Sequence, residues 1–396
     1  MTETTDILIA GGGPSGLAAA TAFGAAGFNV ICVDPTAPVT DAAAAGADIR
    51  TTAILQPGRA LLERSGVWDR LAPHATALQV MQIIDAGTDE TTQKAFNASD
   101  LGDAPFGWNL PNWLLRREFL AQISDMANVS FRPGIGFASY LPRSTEARVR
   151  LSNGTSVSAK MIIAADGRTS PVRQAAGIEV RTTRYGQKAL AFAVKHPVPH
   201  DNISTEVHRS GGPFTLVPLP DLDGSPRSAV VWMERAPEAE RLGEIEISEF
   251  NAEATERSSG LLGPLTLASR RSVWPIISQI ASRFDGPRVA LMAEAAHVVP
   301  PIGAQGLNMS LADIRVLLEL SENNREYLGT PEMLSRYSRA RWPDAQARVI
   351  GIDALNRTSM AGHPVMKALR RKGVATLHGV APLRKLAMRL GLGAGG

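Results

Sequence analysis

Short continuous apolar runs alternate along this chain with stretches of helical period, the pattern of strands buried on both faces of a parallel sheet. Ile7 to Ala10 breaks at a glycine turn and passes into an alanine-rich segment, Leu17 to Ala26. Phe28 to Val33 finishes in Asp34, Lys160 to Ala165 finishes in Asp166-Gly167, and Arg288 to Ala293 predicts a buried strand ending in Glu294. Between them, Arg50 to Leu62 reads as a turn into a helix ending before Gly66, and Leu114 to Ala127 as a helix. Val80 to Asp85, the segment around Phe106 to Leu110, Val129 to Phe131 and Arg148 to Leu151 read as strands, with a hairpin turn at Asn153-Gly154.

From Lys188 to Glu234 the pattern changes. Alternating runs at Ala189 to Val194, Phe214 to Val217 and Ala229 to Met233, separated by Pro- and Gly-rich turns, predict an antiparallel sheet. Helices are expected at Ile247 to Ser258 and Gly263 to Leu267, and a helix from Asn308 carries Leu311, Ile314, Leu317 and Leu318 on one face. Pro331 to Leu355 predicts a helix bent at Pro343, followed by a helical tail. The expected division is an α/β domain from residues 1–75, 111–178 and 285–355, a second domain from 76–110 and 179–284, and a tail from 356–396.

Composition adds limits. Hydrophobic residues make up 44% and charged residues 20% of 396 positions, an ordinary globular balance. No run approaches the roughly 18 apolar residues of a membrane span, and the acidic start leading into a strand does not read as a signal peptide. The single cysteine, Cys32, excludes an internal disulfide and reads as a small core residue; the seven histidines show no ligand spacing, so no metal is expected. The net charge of +3 hides an asymmetry, because no Asp or Glu occurs after Asp353 while eight basic residues do. Without a nucleic-acid motif, that tail does not predict a nucleic-acid partner.

Chemistry concentrates at the ends of the apolar runs. Gly11, Gly13 and Gly16 have the G-x-G-x-x-G spacing, with Pro14 and Ser15 opening a helix. In a nucleotide-binding reading Gly11 makes the turn, Gly13 admits a pyrophosphate and Gly16 lets helix pack on strand, while Asp34 suits a ribose. The plain alternative is a ligand-free strand-to-helix turn. Asp166 and Gly167, with Ser170 and Arg173 following, form either a ligand-facing strand end or an Asp-Gly turn with a serine cap. Arg50 is either a surface arginine or a donor to the dinucleotide.

Together, the glycine turn, the D-G-x-x-S-x-x-R pattern at Asp166 to Arg173, and Glu294-Ala295-Ala296-His297 running to Pro301-Ile302-Gly303-Ala304-Gln305-Gly306-Leu307-Asn308 resemble the flavin-dependent aromatic monooxygenases of the para-hydroxybenzoate hydroxylase type. Arg50 to Pro57, Leu62 to Trp68 and Phe106 to Asn109 running into Leu115 to Arg117 are most similar to the ubiquinone-biosynthesis hydroxylases. The resemblance implies a Rossmann-like FAD-binding domain with an inserted, mainly antiparallel substrate domain and a helical C-terminal tail. It implies FAD held by Gly11, Gly13, Pro14, Ser15, Gly16, Asp34, Arg50, Arg116 (rather than Arg117), Asp166, Gly167, Arg173, Glu294, Gly303, Gly306, Leu307 and Asn308. Pro301, Leu307 and Asn308 would form the flavin-ring loop where the reaction occurs. The chain departs from the family at Ala293-Glu294, where Gly-Asp is usual.

The implied reaction hydroxylates an aromatic ring through a flavin C4a-hydroperoxide, with O2 as co-substrate and NAD(P)H or another donor as reductant. A polyprenylated phenol of ubiquinone biosynthesis is the expected substrate; a soluble aromatic, or a non-catalytic FAD-binding role in a biosynthetic complex, are the alternatives. His297 is read as packing or capping beside the flavin rather than as a base. The implied place is the cytoplasm, with the basic tail resting on the inner face of a membrane, docking a complex partner, or covering its own FAD domain.

Overall fold

The computed structural model describes residues 3–86, 92–209 and 211–360, together with Lys385, Met388 and Gly391. The tail expected over 356–396 therefore lies mostly outside the described residues. The first apolar run forms β1 (Glu3–Ala10), and Pro14, whose missing N–H costs nothing in a first turn, opens α1 (Pro14–Ala25). β2 (Val30–Asp34) returns parallel to β1. Next come β3 (Thr51–Leu55), α2 (Gln56–Arg64), α3 (Trp68–Leu71), β4 (Thr76–Leu78), β5 (Val80–Asp85), β6 (Thr92–Asn97), β7 (Gly107–Pro111) and α4 (Asn112–Ser124). β8 (Val129–Pro133), β9 (Phe137–Pro142), β10 (Ala147–Leu151) and β11 (Ser156–Ala164) lead to α5 (Pro171–Ala175).

The antiparallel region comprises β12 (Val180–Lys195), β13 (Ile203–His208), β14 (Pro213–Leu222), β15 (Ser225–Arg235), α6 (Ala236–Glu244), α7 (Ile247–Arg257), β16 (Thr266–Leu267) and β17 (Ser272–Ala281). The chain then returns through β18 (Asp285–Gly286), β19 (Val289–Leu291), α8 (Ala293–Ala296), β20 (His297–Val298), α9 (Gln305–Asn323) and α10 (Pro331–Met360), which runs through Pro343.

Among the described residues three sheets result. An eight-stranded sheet has the parallel order β19-β11-β1-β2-β8, with β18 antiparallel at one edge and the β9–β10 hairpin paired to β11. Its central runs are buried on both faces, which is why they read as continuous apolar stretches: Ile7, Leu8, Ile9, Ile162, Ile163 and Val289 are inaccessible to solvent. A nine-stranded sheet has the order β20-β17-β12-β15-β14-β13-β5-β6, with β16 on β12. β3, β7 and β4 make a small third sheet, so residues 76–110 divide between two sheets.

The nine-stranded sheet alternates in earnest. Leu190, Phe192, Val207, Phe214, Leu216, Val230 and Trp232 pack under α6 and α7 through Leu242 and Phe250. The opposite face turns back to the parallel domain: Ala189, Met233 and Val231 meet Ile302 and Ile352, while Met81 and Phe96 meet Leu55, Phe106 and Met388.

Some local readings change. The helix expected at Gly263 to Leu267 is a turn, with Gly263 at φ +77° beside Pro197, followed by β16. β12 extends well before Ala189, because a register shift against β17 between Arg184 and Lys188, at the left-handed Gly186, carries the pairing on. The strand expected to reach Glu294 stops at Leu291, since Ala293 turns left-handed at φ +54° and starts α8.

Candidate active site

The site forms where the C-terminal ends of β1, β11 and β19 lie side by side. Gly11 is at φ +115°, and a Cβ there would lie 2.2 Å from the Ala165 carbonyl oxygen; one at Gly16 would lie 1.9 Å from the Gly11 carbonyl oxygen. Both glycines are thus fixed by close backbone approach. Gly13 differs: a Cβ there would meet nothing within 4 Å. The α1 N-terminus has no side-chain cap, so its first-turn N–H groups and Ser15 open onto that free space. Asp34 accepts from the Gly12 N–H at 2.5 Å and the Thr36 N–H at 2.7 Å, which holds it at the rim of the same turn.

Asp166 sits beside Gly11, at the end of β11. Its Oδ2 accepts from the Val172 N–H at 3.0 Å, while its buried Oδ1 has no partner among the described residues. Burial pushes its carboxyl up from the usual carboxylate value, against the hydrogen bonds from Ser170 and the Val172 backbone. Gly167 follows at φ +85°, and Ser170 caps α5 by accepting from the Arg173 N–H. The Arg173 side chain does not face the cleft. Its guanidinium is buried and donates to the Ala295 carbonyl at 2.9 Å and the Arg168 carbonyl at 2.8 Å, tying the second motif to the third.

Glu294, on the single turn α8, is exposed and pairs with Arg168 at 3.1 Å. Arg50 stacks over Trp274 and forms a bidentate pair with Asp48, at 2.7 and 2.6 Å. Arg116 also approaches Asp48, at 3.8 Å, and its buried Nε has no partner among the described residues. Arg117 instead pairs with Glu118 and stacks on Trp113, outside the cleft. Burial opposes ionisation of Asp48, but hydrogen bonds from Arg50 and Asn112 and the Arg116 charge outweigh it and hold the carboxyl low.

The loop from Pro300 turns through Gly303 (φ +65°) and Ala304 (φ +55°) into α9. Pro301, Gly303 and Gly306 are exposed, and a Cβ at Gly306 would meet nothing within 4 Å. Leu307 is half-buried against the main core. The Asn308 side chain accepts from the Leu55 N–H at 2.9 Å and donates to the Ala53 and Ala304 carbonyls at 2.7 Å, fastening the loop to β3. Gln305 donates to the Gly303 carbonyl at 2.8 Å and to the Gly391 carbonyl at 2.9 Å.

Behind the loop lies a buried network. Asp313 of α9 accepts from His297 at 2.6 Å, from Arg341 of α10 at 2.8 Å and from the Ala293 N–H at 3.3 Å. His297 is therefore a packed structural residue here. Burial of Asp313 is outweighed by the His297 and Arg341 charges, which hold its carboxyl low. Asp48, Arg168, Asp313 and Arg341 were not read from the sequence. Asp48 lay in a featureless alanine-rich stretch, and Asp313 and Arg341 lay on helices whose other residues spelled an ordinary core face.

These groups fit FAD. The free space before Gly13 suits a pyrophosphate, Asp166 and Arg116 offer unpartnered polar atoms, and the N-terminus of α9 with the open Gly306 suits the carbonyl edge of a flavin. A family model described as an FAD binding domain matches residues 4–350. Ubiquinone hydroxylase UbiL of Rhodospirillum rubrum is 31% identical over 99% of this chain and 90% of its own length. The 3-demethoxyubiquinol 3-hydroxylase of Escherichia coli is 26% identical over 99% of both chains. Among solved structures, p-nitrophenol 4-monooxygenase PnpA of Pseudomonas putida shares the fold at TM-score 0.80 with 20% identity, over 98% of this chain and 97% of that one. The chain belongs to the FAD-binding-domain family of flavin-dependent aromatic monooxygenases, within its ubiquinone-hydroxylase relatives, and works with FAD, O2 and NAD(P)H or another electron donor.

Proposed function

We propose that this enzyme hydroxylates the ring of a polyprenylated phenol in ubiquinone biosynthesis. The near full-length likeness to a ubiquinone hydroxylase carries this reading. The apolar character of the sheet face toward the flavin loop supports it, since the half-buried Val231 and Met81 offer apolar surface for a ring and an isoprenoid chain.

In this reading Gly11, Gly13, Pro14, Ser15, Gly16 and Asp34 hold the adenosine diphosphate end of FAD. Arg50, Arg116, Asp166, Gly167 and Glu294 hold its middle, with Arg173 locking the two later motifs together. Pro301, Gly303, Gly306, Leu307 and Asn308 hold the ring. Bound and reduced, the flavin supplies an electrophilic oxygen derived from O2. The α9 N-terminus stabilises negative charge at the flavin's carbonyl edge, Asn308 keeps the loop in register, and the apolar wall excludes water. Residues 76–110 and 179–284 act as the substrate domain.

The basic tail brings the enzyme to the inner face of a membrane, where such a substrate resides. None of the described helices is long and apolar enough to cross a membrane. Deleting the gene and identifying the accumulated quinone precursor tests the function. A precursor lacking one ring hydroxyl supports it, whereas unchanged ubiquinone with no precursor defeats it.

A further inference from the structure

Glu206 and His208 lie on the sheet face opposite the α6–α7 core, because Val207 between them points into that core. Glu206 stands opposite Thr215 on β14, and Thr215 opposite Val231 on β15. Val231 packs in the cluster that contains Ile302 of the flavin loop. Glu206 is thus two strands, about 10 Å, from the wall of the reaction site, on the same face. Both residues are about nine-tenths buried, at 8% and 9% exposure. His208 Nε2 lies 2.7 Å from Glu206 Oε1, and His208 Nδ1 is buried with no partner among the described residues.

We propose that His208 is the acid–base residue for the substrate's phenolic hydroxyl and that Glu206 is its positioning residue; this rests on the phenol-hydroxylase reading above. The Glu206 carboxylate accepts only, so it fixes the tautomer in which Nε2 carries the proton and Nδ1 presents a lone pair. Such a lone pair, dry and unpartnered, suits a phenolic O–H. The phenol's O–H bond breaks and its proton passes to Nδ1; the phenolate then pushes electron density to the ring carbon that takes the electrophilic oxygen. His208 returns its proton to the phenolic oxygen as the ring rearomatises. The lost ring C–H proton neutralises the oxygen left behind when the O–O bond splits. Electrons come from the reductant through the cofactor.

The same face also selects. Asp85 stands in register with His208, and Lys94 is on the edge strand opposite Ile83. With the Glu206 carboxylate beside His208, a neutral phenol is favoured over a benzoate, whose carboxylate Glu206 would repel.

The FAD-loaded enzyme and its His208→Asn and Glu206→Gln variants would be titrated with 2-geranylphenol near neutral pH. Ultraviolet difference spectra report the bound phenol's ionisation, and product formed per reductant oxidised reports coupling. The wild type should show a phenolate component. His208→Asn should bind the neutral phenol, with product formation down by about 10²- to 10⁴-fold while reductant oxidation continues. Glu206→Gln should fall between them, and it decides the matter if His208→Asn loses its FAD. Unchanged ionisation and coupling in the variants would overturn the role of His208 while leaving the hydroxylase reading intact. A wild type that neither binds nor hydroxylates the phenol would overturn that reading, and the His208 role with it.

Discussion

Gly13 and Gly16 stand three positions apart and answer to different constraints. At Gly16 a methyl group would collide with backbone, so Gly16→Ala should cost the fold about 2 kcal/mol or more, read as a lower denaturant midpoint of the cofactor-free protein. Gly13 has negative φ and open space, so Gly13→Ala should fold normally and bind FAD at least ~10-fold more weakly, by flavin fluorescence titration. Equal losses of stability in both variants would contradict this division. Ala293 presents the opposite case. The family's usual glycine there is explained by the left-handed turn at the end of β19, and this chain keeps the turn at φ +54° with a methyl group in place. Left-handed strain exceeds the extra chain entropy of glycine, so Ala293→Gly should gain roughly 0.5–1 kcal/mol in thermal or denaturant unfolding.

Between elements, Asp313 joins the β19 turn, α9 and α10 through the Ala293 N–H, His297 and Arg341. Asp313→Asn leaves the buried His297 without its carboxylate and Arg341 with Asp344 as its one carboxylate partner among the described residues, and should cost about 3 kcal/mol at neutral pH. The pH dependence has a definite sign. A carboxyl held low in the folded protein stabilises it above the unfolded value of about 3.9, and that contribution disappears as pH falls through the folded value. The wild type should therefore lose stability on acidification that Asp313→Asn no longer has to lose; parallel unfolding curves from pH 6 to 3 would refute the assignment. The three strand ends of the site were legible in the sequence, because glycine spacing and an acid after an apolar run are local signals. Helix α6 and strands β6 and β9 were not, being short and half-exposed with mixed composition. Nor was the network of Asp313 and Arg341, whose meaning depends on which helices meet. Arg173 shows the middle ground: its place in the motif was readable, yet its contacts with two carbonyls required the fold.

For the whole molecule, charge and assembly are the governing facts. With the tail's eight basic residues set aside, the rest of the chain has 33 basic against 38 acidic residues, so the net positive charge belongs to the tail. Replacing Lys367, Arg370, Arg371 and Lys372 by Glu removes cations that each contribute roughly 1 kcal/mol near an anionic leaflet. Binding to phosphatidylserine-containing vesicles should fall more than about tenfold in co-sedimentation, and unchanged binding would remove the membrane role. The order of strands in the parallel sheet bears on how the protein is made. β1 pairs with β2 almost at once, but its other edge belongs to β11, where Glu3 meets Val157. At ordinary elongation rates that edge waits roughly ten to thirty seconds on the ribosome for its partner. Through that interval an apolar strand, buried on both faces in the finished protein, has one row of backbone groups unpaired. The pieces of the candidate cofactor site run from Gly11 to Asn308, whose side chain holds the loop to β3, so that site stays incomplete until nearly 300 further residues have followed the first glycine turn.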